Sequence, residues 1–499
     1  MYDHALLRAG PGPERAEPEQ TVQPEGKRRI TFLIICSGTF LATLDGAIVN
    51  LALPVLADEF ESSIADVLWV SLTFFVGAVG LALPMGRLGD IMGRRRILSV
   101  GWVVYTTGLL IATTAPSLGA LLAARAIQAA GAAMIGANGA AVVMATTPMA
   151  QRGKALGILA ATVGAGQAAG PIIGGLLIDA LGWRAVFAVR IPMAVAVFAA
   201  VRMLLPADRR SEAQGRVDLV GSVLIVATTA SLLLAINRAT AETSGGVPLL
   251  LATLSVAGAV AFVVVERSVR SPVLDLALFR SRSFSRAVLT AVLHHIGRAG
   301  VVVLMPFFLI EAGERSLVET GLVMVAVPLT LVAVAPLSGS LSDRYGPRLL
   351  TTIAQGVLVV ALLALATVST STSTGGVVLR LVLVGVGAGL FGSPNSSAIM
   401  NSAPPDRLGT AAASSTTARQ IGQAIGVALA GAVFASRVGS SAGGTASMLP
   451  ADAAAGLEAA MLTAAVIVGC AMVVSGTRPS EHDAEHAAGL VETGDDTKT

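Results

Sequence analysis

The chain has 499 residues, 54% of them hydrophobic and only 13% charged, with a mean hydropathy of +0.76. Soluble domains carry roughly a quarter charged residues, so this composition excludes an ordinary soluble globular protein and implies a chain that crosses a membrane many times. A net charge of +3 and a pI near 9.2 do not amount to a nucleic-acid footprint, because the basic residues fall in short loops between apolar runs rather than on a polar face.

Residues 1–29 form a polar, proline-containing tail, and the apolar run that follows has its own aspartate, so no cleavable leader is expected. A helix needs about 20 apolar residues to cross a hydrocarbon core of about 30 Å. Apolar runs of that order predict spans near 30–55, 67–86, 97–115, 119–145, 155–180 and 185–205, then 217–238 and 247–266. Six more are expected near 286–310, 319–340, 349–368, 375–400, 408–436 and 456–476.

The expected organisation is therefore an N-terminal six-helix half (30–206), two extra central helices (217–266), an interfacial linker (267–285), a C-terminal six-helix half (286–476) and a polar tail (477–499). An even span count puts both termini on one side. With that side inside, Arg184, Arg238, Arg315 and Arg437 fall in outer loops and Arg125, Arg190, Arg298, Arg380 and Arg419 within spans, leaving 25 of the 34 basic residues at the inner face. The excess of inner arginine predicts that both termini are cytoplasmic. The 54 glycines suit helices packed closely in lipid, and Cys36 and Cys470 lie apart in apolar runs, so neither a disulfide nor a metal site is expected.

Asp45, in LDGAIVNLALP, is the first informative charge, since a carboxylate within a span costs about 2.5–3.5 kcal/mol on insertion scales and faces the bundle interior. Counted at 1.5 Å per residue from Ile30, it sits about 22 Å from the inner face. Arg125, on a helix running the other way, comes about 10 Å below the outer face, at a similar depth. An acid next to a basic partner, opened alternately to each side, is the least apparatus a proton-coupled carrier needs; a structural ion pair that orders two helices is the alternative.

Between spans 2 and 3 the chain reads GRLGDIMGRRR from Gly86, and between spans 10 and 11 it reads GSLSDRYGPR from Gly339. Gly86, Asp90, Gly93 and Arg95 recur as Gly339, Asp343, Gly346 and Arg348 at a constant offset of 253 positions, with Arg94 and Arg344 completing the basic sets. Glycine permits the tight turn, and the arginines hold the loop inside. Two copies at one offset argue for two related halves, which suits alternating access better than a channel. No GxxxxGK[ST] phosphate loop occurs, which argues against an ATP-driven pump.

The GxLxDxxGRRR loop and its weaker second copy resemble the signature loop of the major facilitator superfamily, despite Ile91 where a basic residue is common and Pro347 where an arginine is missing. That resemblance implies a loop that latches the halves when the carrier is open outward. Arg125, Gln128 and Gly131 resemble the RxxQxxG pattern of its proton-coupled exporters, although Ala129 stands where a glycine is frequent. Residues Gly166, Gly170, Pro171, Gly174 and Gly175, in VGAGQAAGPIIGG, resemble the antiporter motif of its exporters; generic close packing is the alternative. DLVG at 218–221, VGVGAGL at 384–390 and ARQIGQAIG at 418–426 resemble the 14-helix branch of drug:proton antiporters, while Arg190 departs from the asparagine usual there.

What the resemblance implies is an all-α major facilitator fold working as a monomeric, non-enzymatic carrier in the cell membrane, with no cofactor beyond the proton gradient. Its partners would be protons, lipid and a small amphipathic drug or self-made antibiotic, with Asp45 and Arg125 coupling protons; a proton-coupled importer or a non-transporting sensor is the alternative. Gln128, Gln167, His294, His295, Arg298 and Arg419 are expected to line the cavity, the histidines with interhelical hydrogen bonding as the competing role. With 14 Phe, 3 Tyr and 3 Trp in the chain, aliphatic contacts should dominate the cavity and permit loose recognition.

Overall fold

The computed structural model describes residues 25–148, 151–205, 219–239, 245–269, 276–404, 407–438 and 449–478. The expectations for both tails beyond 25 and 478, for the middle of the linker (270–275) and for Asp218 lie outside the described residues. Among the described residues, 14 helices are long and apolar enough to cross a membrane. In chain order these are α1 (Glu25–Glu59), α2 (Ile64–Ala82), α3 (Arg94–Thr113), α4 (Leu118–Val143), α5 (Gly157–Leu181), α6 (Arg184–Leu204), α7 (Val220–Arg238) and α8 (Val247–Ser268). The second half follows as α9 (Arg282–Ala312), α10 (Leu317–Tyr345), α11 (Pro347–Ala366), α12 (Thr374–Asn401), α13 (Thr410–Val438) and α14 (Pro450–Gly476).

Several helices begin earlier than the apolar pattern predicts, because a serine cap sets the start rather than the first hydrophobic residue. Ser63 accepts from the Asp66 amide at the head of α2, Ser281 from Phe284 at α9 and Ser316 from Glu319 at α10. The linker ends in a short turn over Leu278–Arg280, where buried Leu278 and Phe284 tie it to the second half and Phe279 meets Phe284 edge to face at 5.2 Å.

The internal repeat extends well beyond the two loops. Glu61 and Glu314 are the two non-glycine residues with positive φ among the described residues, and they stand one repeat apart, as do the caps Ser63 and Ser316. Gly93 (φ 101°) and Gly346 (φ 81°) each take a left-handed turn between antiparallel spans that a side chain would strain, and their amides donate to the equivalent carbonyls of Gly89 and Ser342. Arg95 and Arg348 donate to the last turns of their own halves, at the carbonyls of Arg202 and Gly476. Packing repeats too: α1 lies on α5 as α9 lies on α13, and α3 on α4 as α11 on α12.

The extra pair is peripheral. Helix α7 rests on α2 and α13, with Asn237 donating to the Ala65 carbonyl at 2.8 Å. Helix α8 packs on α7, through Ser255 donating to the Thr228 carbonyl, and presents Leu249, Leu250, Leu254, Val256, Val260 and Val264 outward. An exposed aliphatic face of that length costs little only in lipid.

The halves touch at the end away from the signature loops. A Cβ on Gly175 would overlap the Leu317 carbonyl, one on Gly321 would overlap that of Pro171, and one on Gly431 would overlap the Leu68 side chain. At the opposite end, the one that receives the first turn of α1 and the last of α14, the halves are parted by the central cavity.

Candidate functional site

A cavity of about 1150 Å3 runs between the halves and is walled by α1, α2, α4 and α5 on one side and α9, α10 and α13 on the other. Its mouth carries Gly86, Arg87, Asp90, Arg94 and Thr410, and its deep end is closed near Leu51, Pro306 and Met324. Most of the wall is apolar. The polar groups deeper in include Asn50, Gln167, Arg298, Arg419, Gln420 and Gln423.

Of the residues expected to line it, Gln167, Arg298 and Arg419 do. Gln128, His294 and His295 do not, and here the sequence-based expectation is corrected. Gln128 is fully buried behind the wall, where its Oε1 accepts from Arg125 Nη1 at 2.5 Å. His294 is 1% exposed, its Nδ1 lies 3.1 Å from Gln355 Oε1, and its ring stacks on Phe391 at 3.8 Å, so it takes the interhelical role left as the alternative. His295 stands edge-on to the same two rings.

Behind the cavity wall is a buried charge cluster. Asp45 on α1 accepts from Arg125 of α4 through both oxygens, at 2.8 Å (Oδ2) and 3.0 Å (Oδ1), and its Oδ1 also meets Arg190 of α6. The acid and both arginines are at most 1% exposed. Arg125 is held further by its Nε donating to the Val70 carbonyl at 3.0 Å and by the Phe74 ring, 4.6 Å from the guanidinium carbon. Arg190 donates from Nε to the Val186 carbonyl at 2.8 Å and lies over Phe187. One carboxylate thus answers two guanidiniums, and the set is not fully matched: Arg190 Nη2 and Gln128 Nε2 are buried without a hydrogen-bond partner among the described residues, which leaves Asp45 as the group that compensates the buried charge.

In the sequence, Arg190 stands out only as a departure from the asparagine usual in the resembled branch. The signal was present: a charge inside an apolar span must be compensated, and Asp45 is the acid available at that depth.

The glycines of α5 act on two neighbours. Gly166 and Gly170 lie flush against α1 at Phe40, Thr43 and Ala47, and Gly174 against Ile48 and Leu51, so the α5 motif backs the stretch of α1 that holds Asp45. Gly175 and Pro171 meet α10 of the other half. At the mouth, Asp90 pairs with Arg94 of its own loop at 3.0 Å, and Arg94 also donates to the Ala141 carbonyl. In the second copy Asp343 and Arg344 are exposed, with Arg344 over the Tyr345 ring, and Gly339 sits beside Ser393.

Two six-helix halves related by an internal repeat, enclosing a cavity open at one end, define a two-half membrane transporter. The Major Facilitator Superfamily model matches residues 35–427, and the chain belongs to that superfamily. Similar proteins include the riboflavin transporter RibZ of Clostridioides difficile, 31% identical over 407 residues, covering 81% of this chain and 88% of that protein. The multidrug resistance protein Stp of Mycobacterium tuberculosis is 31% identical over 409 residues, covering 81% of this chain and 76% of its own. In fold, the chain is similar to the crystal structure of a bacterial homologue of the human lysosomal transporter Spinster in an inward-facing, unoccupied conformation, with a TM-score of 0.66 at 16% identity over 91% of this chain and 97% of that one.

Proposed function

We propose that this chain is a proton-coupled antiporter that exports amphipathic compounds across the cytoplasmic membrane. The observation that carries the reading is the Asp45 cluster: an acid buried beside the cavity is clasped by guanidiniums on α4 and α6, and α5 packs glycine-first on its helix. A carboxylate so placed changes its protonation only when the surrounding helices move, which is how a proton becomes tied to a conformational step. The multidrug resistance protein Stp, among the similar proteins, points to drugs as cargo. Uptake of dye by inverted vesicles under an imposed pH gradient, with dissipation of that gradient on adding the dye, tests it; movement indifferent to the gradient refutes coupling. Similarity to a riboflavin transporter supports a second reading, a nutrient carrier, and the direction of movement in right-side-out vesicles separates the two.

The mouth of the cavity then faces the cytoplasm. Once Cys36 and Cys470 are replaced, single cysteines at Gly12 and Ser480 are expected to react with an impermeant thiol reagent only from inside, and one at Ser441 only from outside. External labelling of either terminus would reverse the orientation.

Asp90 belongs to the mouth and, with the halves parted there, pairs only locally. In the closed-mouth state it is free to meet basic groups across the gap. Asp90→Asn should therefore leave the protein folded and slow turnover by about tenfold, since each 1.4 kcal/mol of differential stabilisation is a factor of ten. Wild-type turnover at equal expression would reduce the loop to a topology signal.

A further inference from the structure

Substrate charge is written into the cavity wall. Of the described residues that line it, four are arginines (Arg87, Arg94, Arg298, Arg419) and one is an acid, Asp90, which lies at the mouth and is already paired with Arg94. Deeper in, Arg298 of α9 and Arg419 of α13 face the space with no ion pair among the described residues. Asp45 cannot neutralise them, being fully buried and committed to Arg125 and Arg190.

The pair is positioned by backbone. Helices α9 and α13 run parallel, and Gly422 and Gly426 let them approach until a Cβ at either position would overlap the Val292 or Ile296 carbonyl. On that seam Arg419 starts roughly two helical turns nearer the mouth than Arg298. Both side chains nevertheless open onto the one cavity, with Arg419 near enough to act electrostatically on Arg298. Two like charges set together in a largely apolar cavity repel and are costly without an anion. Gln420 and Gln423 extend the same helical face with further donors. The internal repeat sharpens the contrast, because Arg298 stands one repeat of 253 positions from Asp45: the first half puts an acid there and buries it, the second puts a base there and opens it to the cavity.

We propose that Arg298 and Arg419 form an anion subsite, and that the cargo is an amphipathic organic acid whose carboxylate or phenolate docks between them while its apolar body lies against the aliphatic wall. The inference rests on the transport reading for its physiological meaning but not for its test. Guanidinium forks suit planar oxyanions, and charge-assisted hydrogen bonds discriminate against an uncharged isostere more strongly than apolar contacts do. A cationic amphiphile would meet repulsion at the same place.

The test is binding at equilibrium, without any gradient, to the full chain in nanodiscs of zwitterionic lipid. The probes are three dansyl amphiphiles of one chain length ending in a carboxylate, a methylamide or a trimethylammonium group, followed by fluorescence anisotropy against empty nanodiscs. The carboxylate should bind at least about tenfold more tightly than the amide, and the ammonium more weakly than either. In Arg298→Gln/Arg419→Gln the carboxylate should fall to within about twofold of the amide while the amide is unchanged; Arg298→Lys/Arg419→Lys should keep part of the preference. Failure of the carboxylate to bind, an amide or ammonium bound equally well, or a preference surviving the glutamine double variant would each overturn the subsite. A protein that binds the acid in this way yet moves nothing in vesicles would refute the transport reading and leave the subsite standing.

Discussion

Asp45→Asn should abolish gradient-driven export while leaving downhill exchange of the same dye measurable. The asparagine is nearly isosteric and its carbonyl still accepts from Arg125, so the local packing of α1 on α4 and α5 is retained. What is lost is the carboxylate on which the proposed coupling depends, since guanidiniums hold their protons and the Gln128 amide has none to exchange. A loss of at least about a hundredfold in uphill rate, equivalent to about 2.7 kcal/mol of coupling, with counterflow reduced less than about threefold, is the expected result in proteoliposomes under an imposed pH gradient. If the variant still concentrates dye at the wild-type rate, the cluster is structural, which is the alternative that the sequence itself leaves open. Equal loss of uphill transport and counterflow would mean that the asparagine disturbs the cavity rather than the coupling.

Much of this architecture was legible before any coordinates, and for a physical reason. Lipid offers the backbone no hydrogen-bond partners, so hydropathy alone marks the spans, and the 14 apolar runs reappear as 14 helices. The repeat was legible because turn chemistry is local: Gly93 and Gly346 carry the left-handed φ that their loops demand. Side-chain direction was not. Gln128 lies on the same helix as Arg125, three residues on, and only the rotation of α4 decides that it turns inward to the guanidinium rather than to the cavity. His294 likewise turns toward Gln355 and Phe391, a choice fixed by α11 and α12, which are distant in sequence. Arg190 could have been assigned by charge balance among in-span residues, but its nearest sequence features, the isoleucine and proline that follow it, say nothing about α1.

The asymmetry of two bases on one acid sets the largest expected effect on stability. Asp45→Leu leaves Arg125 and Arg190 buried without a counter-charge, at most 1% exposed, and breaking a buried pair in this way costs about 3–5 kcal/mol. Arg190→Leu is different in kind. It leaves Asp45 still bound through both oxygens to Arg125, gives up the Nε bond to Val186, and replaces one cation of an unbalanced set by an aliphatic group beside Phe187. Since exchanging buried charge for packed hydrocarbon is often close to neutral, its cost should stay within about 1 kcal/mol. In the double variant Asp45→Leu/Arg190→Leu a single unpaired guanidinium remains instead of two, so the double should be more stable than Asp45→Leu alone, a sign that independent sites would not give. Thermal unfolding of the purified single and double variants in one detergent reads the order directly. A double variant less stable than Asp45→Leu would mean that Arg190 stabilises the bundle through its own contacts rather than through the carboxylate.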